Sequence, residues 1–371
     1  MFDTRFGVVP KVLIETEAYQ DFKFQDATVT FVRGFRGSGK TVLMGYFEQH
    51  LPDGWIGVDV SNSDSLIADI SYKLYGMLTT YQIMDNFVRY LDSIEVPKIF
   101  RVNFRQNNVD FNNIQFLMYL LEYFSNHYHV MIFIDEASVR KALTDFLLEY
   151  SNLQRSGKSI SVTITGIDSD IERLKKVSGL TYLVRAQEVR MGILNRGLMA
   201  DQYQRIFGIN NNDAFLLANL CGGFAYGFQL MGKLISENIV RVTDIDFSMS
   251  KLVKNVLDQF KNQLFSNMYS PLFTDLKRNE QLVLIGLNKG LKKNQTLVEI
   301  SDMINMQRQN LYGYLRHLMY LNIVRKLAVG RYGFSLMYFD DFIDNILNPS
   351  SGAFINDPGL VINGVNDDIL P

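Results

Sequence analysis

The octapeptide Gly34-Phe35-Arg36-Gly37-Ser38-Gly39-Lys40-Thr41 restricts this chain more than any other stretch. It fits the pattern G-x-x-x-x-G-K-[ST], and its flanks suit it. Before it, Ala27 to Phe35 (ATVTFVRGF) is apolar and β-branched, which predicts a strand. After Lys40, Val42, Leu43, Tyr46 and Phe47 fall on or near one face at helical spacing. Strand, glycine-rich turn and helix in that order turn backbone N–H groups and a helix N-terminus towards one point, as a bound polyphosphate requires. The nucleotide-binding candidates are therefore Gly34, Gly37, Ser38, Gly39, Lys40, Thr41 and Val42. Lys40 would reach the β- and γ-phosphates, and the Thr41 hydroxyl would ligate Mg²⁺. Arg36 holds an unconstrained position in the loop and reads as a solvated or structural arginine.

An acidic partner follows about 95 residues later, in VMIFIDEAS. Val130 to Ile134 reads as a central parallel strand. Asp135 at its end would hold Mg²⁺ through water beside Thr41, and Glu136 would polarise the attacking water. The competing reading of Glu136 is a solvated loop carboxylate. A further strand, SVTITGIDS, ends near Thr165, whose hydroxyl would meet the γ-phosphate or the attacking water, or else form a local turn.

Strands and helices alternate about five times up to Met191. Gly54 to Val60 reads as a second buried strand, and SNSDSLIADISYKLYGML as a helix capped by Ser63 or Asp64. VPKIFRVNF reads as a small extra strand, and GLTYLVRAQEVRM as the last strand of the unit. The predicted fold class is α/β: a parallel sheet between two layers of helices. From Asn195 to Tyr269 the pattern is helical, broken at Gly222–Gly223, and Pro271 opens a third region. The expected domains are an N-terminal extension (1–26), a P-loop core (27–192), a helical lid (193–269), a winged helix-turn-helix (270–345) and a loose tail (346–371).

Composition narrows the class without setting it. The chain has 371 residues, is 47% hydrophobic and carries a formal net charge of -2. It can bury a sizeable core, and the charge balance leaves room for a basic domain. One cysteine, Cys221, excludes disulfide scaffolds and cysteine-rich zinc modules. The four histidines show no paired metal spacing, and the long apolar helical stripes, such as Phe116 to Phe124, read as core. The early charges argue against a secretory leader, and no apolar run approaches the ~18 residues of a membrane span. A reduced, cytoplasmic, soluble protein is expected.

These residues carry a resemblance. RGSGKTVLM, IDEAS, YSNLQRSGKSISVTITGIDSDIERL, LTYLVRA and GGFAYGFQLMG together resemble the AAA+ P-loop ATPases, in the archaeal-ATPase and origin-recognition-like branch that grades into the signal-transduction (STAND) ATPases. More narrowly they resemble bacterial ATP-binding proteins in which a helical lid and a winged helix follow the P-loop domain. The resemblance covers about Ala27 to Phe339. It implies ATP and Mg²⁺ as ligands, Lys40 and Thr41 in Walker A, Asp135 and Glu136 in Walker B, and Thr165 at sensor 1. It also implies an arginine finger, for which the chain offers Arg173 or Arg185. GGFAY departs from the branch by placing Ala225 where a proline is frequent, and no sensor-2 arginine accompanies it. That departure implies slow turnover.

The region from Asp275 to Arg331 has its own logic. It holds ten Lys/Arg against four Asp/Glu in a chain that is net negative. EQLVLIGL, LVEISDMI and NLYGYLRHLMYL have helical periodicity, the last two joined by the short NMQRQ turn, as in a helix-turn-helix. Two alternating segments around Gly330 would form a wing. Arg308, Gln309 and Asn310 would open a recognition helix carrying Arg316, with Arg325, Lys326 and Arg331 about the wing. These residues suit double-stranded DNA, with cations on phosphates and Gln309 or Asn310 on a base edge. A protein-contacting winged helix is the alternative. The expected function is an ATP-dependent switch acting on DNA. The competing reading is a signalling or defence ATPase whose nucleotide state controls homo-oligomerisation or a protein partner.

Overall fold

A computed structural model describes residues 1–5, 7–94, 109–239, 249–289 and 294–347. The strand expected at VPKIFRVNF, the two lysines at 292 and 293, and nearly all of the expected tail lie outside the described residues.

The chain forms two compact units, Arg5–Gly192 and Met1–Thr4 joined with Ile193 onward. The first unit runs α1 (Glu17–Asp21), β1 (Val29–Arg33), α2 (Lys40–Gln49), β2 (Trp55–Ser61), α3 (Leu66–Thr80), α4 (Met84–Ser93), α5 (Ile114–Ser125), β3 (His129–Asp135), α6 (Lys141–Arg155), β4 (Ile160–Gly166), α7 (Asp168–Lys175), a 3-10 turn (Thr181–Arg185) and β5 (Gln187–Arg190). The strands form one parallel sheet in the order β2-β3-β4-β1-β5. Both faces are covered, which is why the inner strands are apolar at successive positions. Phe31, Ile132 and Val162 point into one layer, and Val32, Met131 and Phe133 into the other. The α/β class with three layers is therefore present.

Two local expectations change. Of GLTYLVRAQEVRM only Gln187–Arg190 is a strand, and Thr181–Arg185 is a 3-10 turn. Leu180 and Leu183 are buried at a spacing of three, while Val184 is 67% exposed, so the turn fits where a two-residue alternation fails. Helix α3 starts after Ser65, not Ser63 or Asp64.

The second unit continues with α8 (Arg196–Phe207), α9 (Asn211–Cys221), α10 (Ala225–Ile239), α11 (Met249–Leu264), a π-helical segment (Phe265–Tyr269), α12 (Ser270–Thr274), α13 (Arg278–Lys289), β6 (Gln295–Thr296), α14 (Leu297–Ile304), α15 (Arg308–Tyr320), β7 (Val324–Ala328), β8 (Arg331–Phe334) and α16 (Phe339–Leu347). Asn195 and Asn210 cap α8 and α9 with their side chains. Gly222 and Gly223 both take positive φ, so the expected break lies where predicted. Pro271 stands in the first turn of α12, which follows the π-helical segment directly and is capped by Asp275. The preceding π segment has already shifted the hydrogen-bond ladder that proline would interrupt.

Beyond it, α13, α14 and α15 accompany a three-stranded antiparallel sheet, β6-β8-β7. A capping box of Thr296 and Glu299 starts α14, and Gly330 at φ +71° turns the β7–β8 hairpin. Leu311, Leu315 and Leu318 are buried, as their spacing on α15 requires.

Candidate functional site

Strands β1, β3 and β4 are neighbours, and their C-terminal ends bring Gly34, Asp135 and Gly166 to one edge of the sheet. Clefts at such edges are where open α/β sheets bind ligands. The loop from Gly34 to Gly39 leaves β1 and enters α2, with Gly37 at φ +75° and Gly39 at φ +94°. These conformations need glycine. Gly34 needs it for space, since a Cβ there would lie 2.7 Å from Ser38 Oγ and 2.8 Å from Met191 Cβ. Gly34 N–H donates to Gly166 O at 3.2 Å, tying the loop to the end of β4. Ser38 is buried, and among the described residues its Oγ has no hydrogen-bond partner.

Lys40 Nζ donates to the carbonyls of Gly34 (2.9 Å) and Phe35 (3.0 Å), folding the ammonium over the loop. Burial pushes its pKa down to about 8; Asp135 opposes that shift, and Arg36 adds to it. Thr41 Oγ1 donates to Asp135 Oδ2 at 2.8 Å. The two expected magnesium-side residues, 94 positions apart in the chain, therefore meet.

Thr165 lies fully buried on β4. Its hydroxyl donates to Asp135 Oδ1 in a short hydrogen bond and accepts the Glu136 N–H at 3.2 Å. That hydroxyl is committed to the two acids, so it reaches nucleotide only through them. The Glu136 side chain is exposed and its backbone sits at φ +69°. Neither finger candidate is anchored: Arg173 is exposed with Asp170 at 3.9 Å, and Arg185 is exposed on the 3-10 turn.

Two contributors were not anticipated from sequence. Asn62, just past β2, is buried and donates through Nδ2 to the carbonyls of Glu136 (2.8 Å) and Ser138 (2.7 Å), while its N–H donates to Asp135 O (2.9 Å). It fixes the turn on which Glu136 is held. Arg33, the last residue of β1, is buried among Asp168 (3.2 Å), Glu172 (2.7 Å) and Glu188 (3.0 Å). It anchors the start of α7 and β5 beside the loop. One polar residue directly after a predicted strand (Asn62), and one cation at the end of an apolar strand (Arg33), were the signals available.

Of the nucleic-acid candidates, Arg308, Gln309, Asn310 and Arg316 are exposed on α15, and Arg325 and Lys326 on β7. Arg331 is half-buried and donates to Asn294 O at 3.4 Å. It belongs to the hairpin's own support as much as to its surface.

No family model and no curated protein sequence matches the chain. Solved structures do. The Aeropyrum pernix ORC2 protein, in its ADPNP–ADP complexes, has a TM-score of 0.56 at 11% identity over 87% of this chain and 88% of that one. The ORC1 protein of the same organism, in complex with DNA, has 0.45 at 13% identity over 92% and 94%. The replication initiator DnaA, bound to AMPPCP and single-stranded DNA, has 0.37 at 12% identity over 82% and 85%. At these identities the likeness is one of fold, and of these three the ORC2 match carries it. That likeness agrees with the three-layer α/β fold expected above.

Proposed function

We propose that the chain is an ATP-binding, slowly hydrolysing AAA+ switch whose C-terminal basic module, read as a winged helix, engages double-stranded DNA. The observation that carries the nucleotide half is the 2.8 Å contact of Thr41 Oγ1 with Asp135 Oδ2 at the mouth of the Gly34–Thr41 loop. A glycine-rich turn alone would have no reason to meet a buried carboxylate from a distant strand. The ORC2 structure of similar fold was solved with ADPNP and ADP, which agrees with this reading.

Magnesium fits the donors present. Among the described residues no cluster of three or more His, Cys, Asp or Glu side chains is placed to hold a metal. Thr41 and Asp135 offer two oxygens at one point, which suits a hard cation that keeps water and phosphate oxygens as its other ligands. When bound there, Mg²⁺ would neutralise charge on the β- and γ-phosphates. Glu136 would orient and deprotonate the attacking water, Lys40 would hold the phosphates, and Thr165 and Asn62 would position the two acids. Arg173 or Arg185 would serve as a finger towards a second copy, and their exposure leaves each available for it. Slow turnover is inferred from GGFAY, where Ala225 takes the place of a frequent proline and no sensor-2 arginine accompanies it.

The DNA half rests on cations at two adjoining elements, Arg308 and Arg316 on α15 and Arg325 and Lys326 on β7. The test is binding of a fluorescent ATP analogue and of labelled duplex DNA, with sizing in ADP or a non-hydrolysable analogue. Lys40→Ala should abolish nucleotide binding. Arg308→Glu with Arg316→Glu should weaken DNA binding and flatten its salt dependence. Unchanged DNA affinity in that double variant would sink the DNA half and leave the ATPase half standing.

A further inference from the structure

Six charges meet where β1 and β5 end beside α7. Arg33 is buried and reaches three carboxylates: Nε to Asp168 Oδ1 (3.2 Å), Nη2 to Glu172 Oε1 (2.7 Å) and Nη1 to Glu188 Oε2 (3.0 Å). Lys175 lies 3.7 Å from Glu172 and also meets Glu188, and Arg190 Nη1 lies 3.6 Å from Asp168 Oδ1. Three cations therefore balance three acids. Glu172 and Glu188 share Arg33 and Lys175, whereas Asp168 is held by Arg33 and Arg190.

Asp168 differs from the other two acids in what lies beyond it. It opens α7, two residues after Gly166, whose carbonyl accepts the Gly34 N–H at 3.2 Å. Gly34 O in turn accepts a hydrogen bond from Lys40 Nζ at 2.9 Å. These contacts set the first turn of α7 beside the phosphate loop, and Asp168 is among the carboxylates whose field acts on the Lys40 ammonium. The helix dipole favours an acid in that first turn, which accounts for Asp168 but not for the two arginines on it. A carboxylate free to turn towards Lys40 would compete with phosphate for the same ammonium.

We infer that Arg33 and Arg190 are positioning residues for the phosphate site: together they hold the Asp168 carboxylate away from Lys40, so that the ammonium is left for the nucleotide. This rests on the nucleotide reading above. Arg33 gives the firmer hold because it is buried, and Arg190, 66% exposed, gives a second one that solvent screens. A purely structural tie between β1, α7 and β5 needs no charge, since apolar residues would hold these elements at least as well. A buried cation one residue before Gly34 has a use there that an apolar residue lacks.

The test titrates the full chain with a non-hydrolysable ATP analogue and Mg²⁺ by calorimetry, with a melting temperature to show that each variant is folded. Arg190→Gln changes an exposed side chain and should weaken binding by about two- to fivefold at low ionic strength, the loss shrinking as salt is raised. Asp168→Asn removes the competitor and should bind at least as tightly as the unaltered protein. Arg190→Gln combined with Asp168→Asn should recover that affinity, because the loss exists only while the carboxylate does. Arg33→Gln should weaken binding more than Arg190→Gln, and Asp168→Asn should recover part of that loss. The Arg190 pair decides the matter even where Arg33→Gln fails to fold. Wild-type affinity in Arg190→Gln overturns the inference. So does a loss that persists in the double variant, which is what a role in shape alone predicts. Either result leaves nucleotide binding in place. No binding by the unaltered protein overturns the nucleotide reading, and this inference with it.

Discussion

Thr165 Oγ1 holds both acids of the site, donating to Asp135 Oδ1 while accepting the Glu136 N–H at 3.2 Å. Thr165→Val keeps the shape of β4 but leaves a carboxylate oxygen of the buried Asp135, and the Glu136 amide, without that partner. The expected cost is about 1–3 kcal/mol of folding stability, measured by denaturant titration. ATP turnover should fall while nucleotide affinity changes little, and Thr165→Ser should restore both. Wild-type turnover in the valine variant would remove Thr165 from this role.

Glu136 occupies left-handed backbone, φ +69°, with Asn62 clamped on its carbonyl. A non-glycine residue there stores about 1 kcal/mol of strain, which a site accepts when the side chain is needed. Glu136→Gly should therefore leave stability unchanged or raise it by up to about 1 kcal/mol, while turnover drops by about 10²–10⁴. Glu136→Gln should bind nucleotide normally and hydrolyse as poorly. A glycine variant destabilised by clearly more than 1 kcal/mol would show that the carboxylate is a structural partner instead.

Asn62→Ala removes the clamp without touching either acid. Its Nδ2 bonds to Glu136 O (2.8 Å) and Ser138 O (2.7 Å) are both part-buried. About 1–3 kcal/mol of stability should be lost, and turnover should fall with nucleotide affinity largely kept. Equal turnover in this variant and the wild type would mean that the Glu136 turn holds itself.

The sequence made the loop, the acids and the hairpin legible for one physical reason: each is specified within a dozen residues. Gly37 and Gly39 declare their backbone, Asp135 ends an apolar run, and Gly330 separates two alternating segments. Asn62 and Arg33 were illegible because their partners lie 74 and 76 residues away in one case, and 139 and 155 in the other. Phe2 falls in the span 1–26 that sequence marks only as an extension, and nothing local links it to Gly232 beneath its ring. From Gly179 to Met191 the sequence suits a strand throughout, because Leu180 and Leu183 are apolar in a way that fits a strand or a turn, and the exposed Val184 decides for the turn at Thr181–Arg185 only in three dimensions.

Lys40 yields a prediction in pH. Burial lowers its pKa from 10.5 to about 8, so the folded chain holds this proton less tightly than the unfolded chain. Below about pH 8 the amine is charged in both states and the full desolvation cost is present; between about 8 and 10.5 the cost is relieved. Lys40→Met should thus be more stable than wild type at pH 7, and the difference should close as pH rises through that window. The side chain is partly exposed, so about 1–3 kcal/mol is expected, less than the full 1.36 kcal/mol per unit would give. A polyphosphate beside Nζ reverses the shift by favouring the ammonium. Nucleotide affinity should then be full below about pH 8 and fall by up to tenfold per pH unit above it, with proton uptake approaching one per nucleotide. Calorimetric titrations at pH 8.5 in two buffers of different ionisation enthalpy measure that uptake directly. Flat affinity from pH 7 to 9.5 with no proton uptake would show that Lys40 does not meet phosphate.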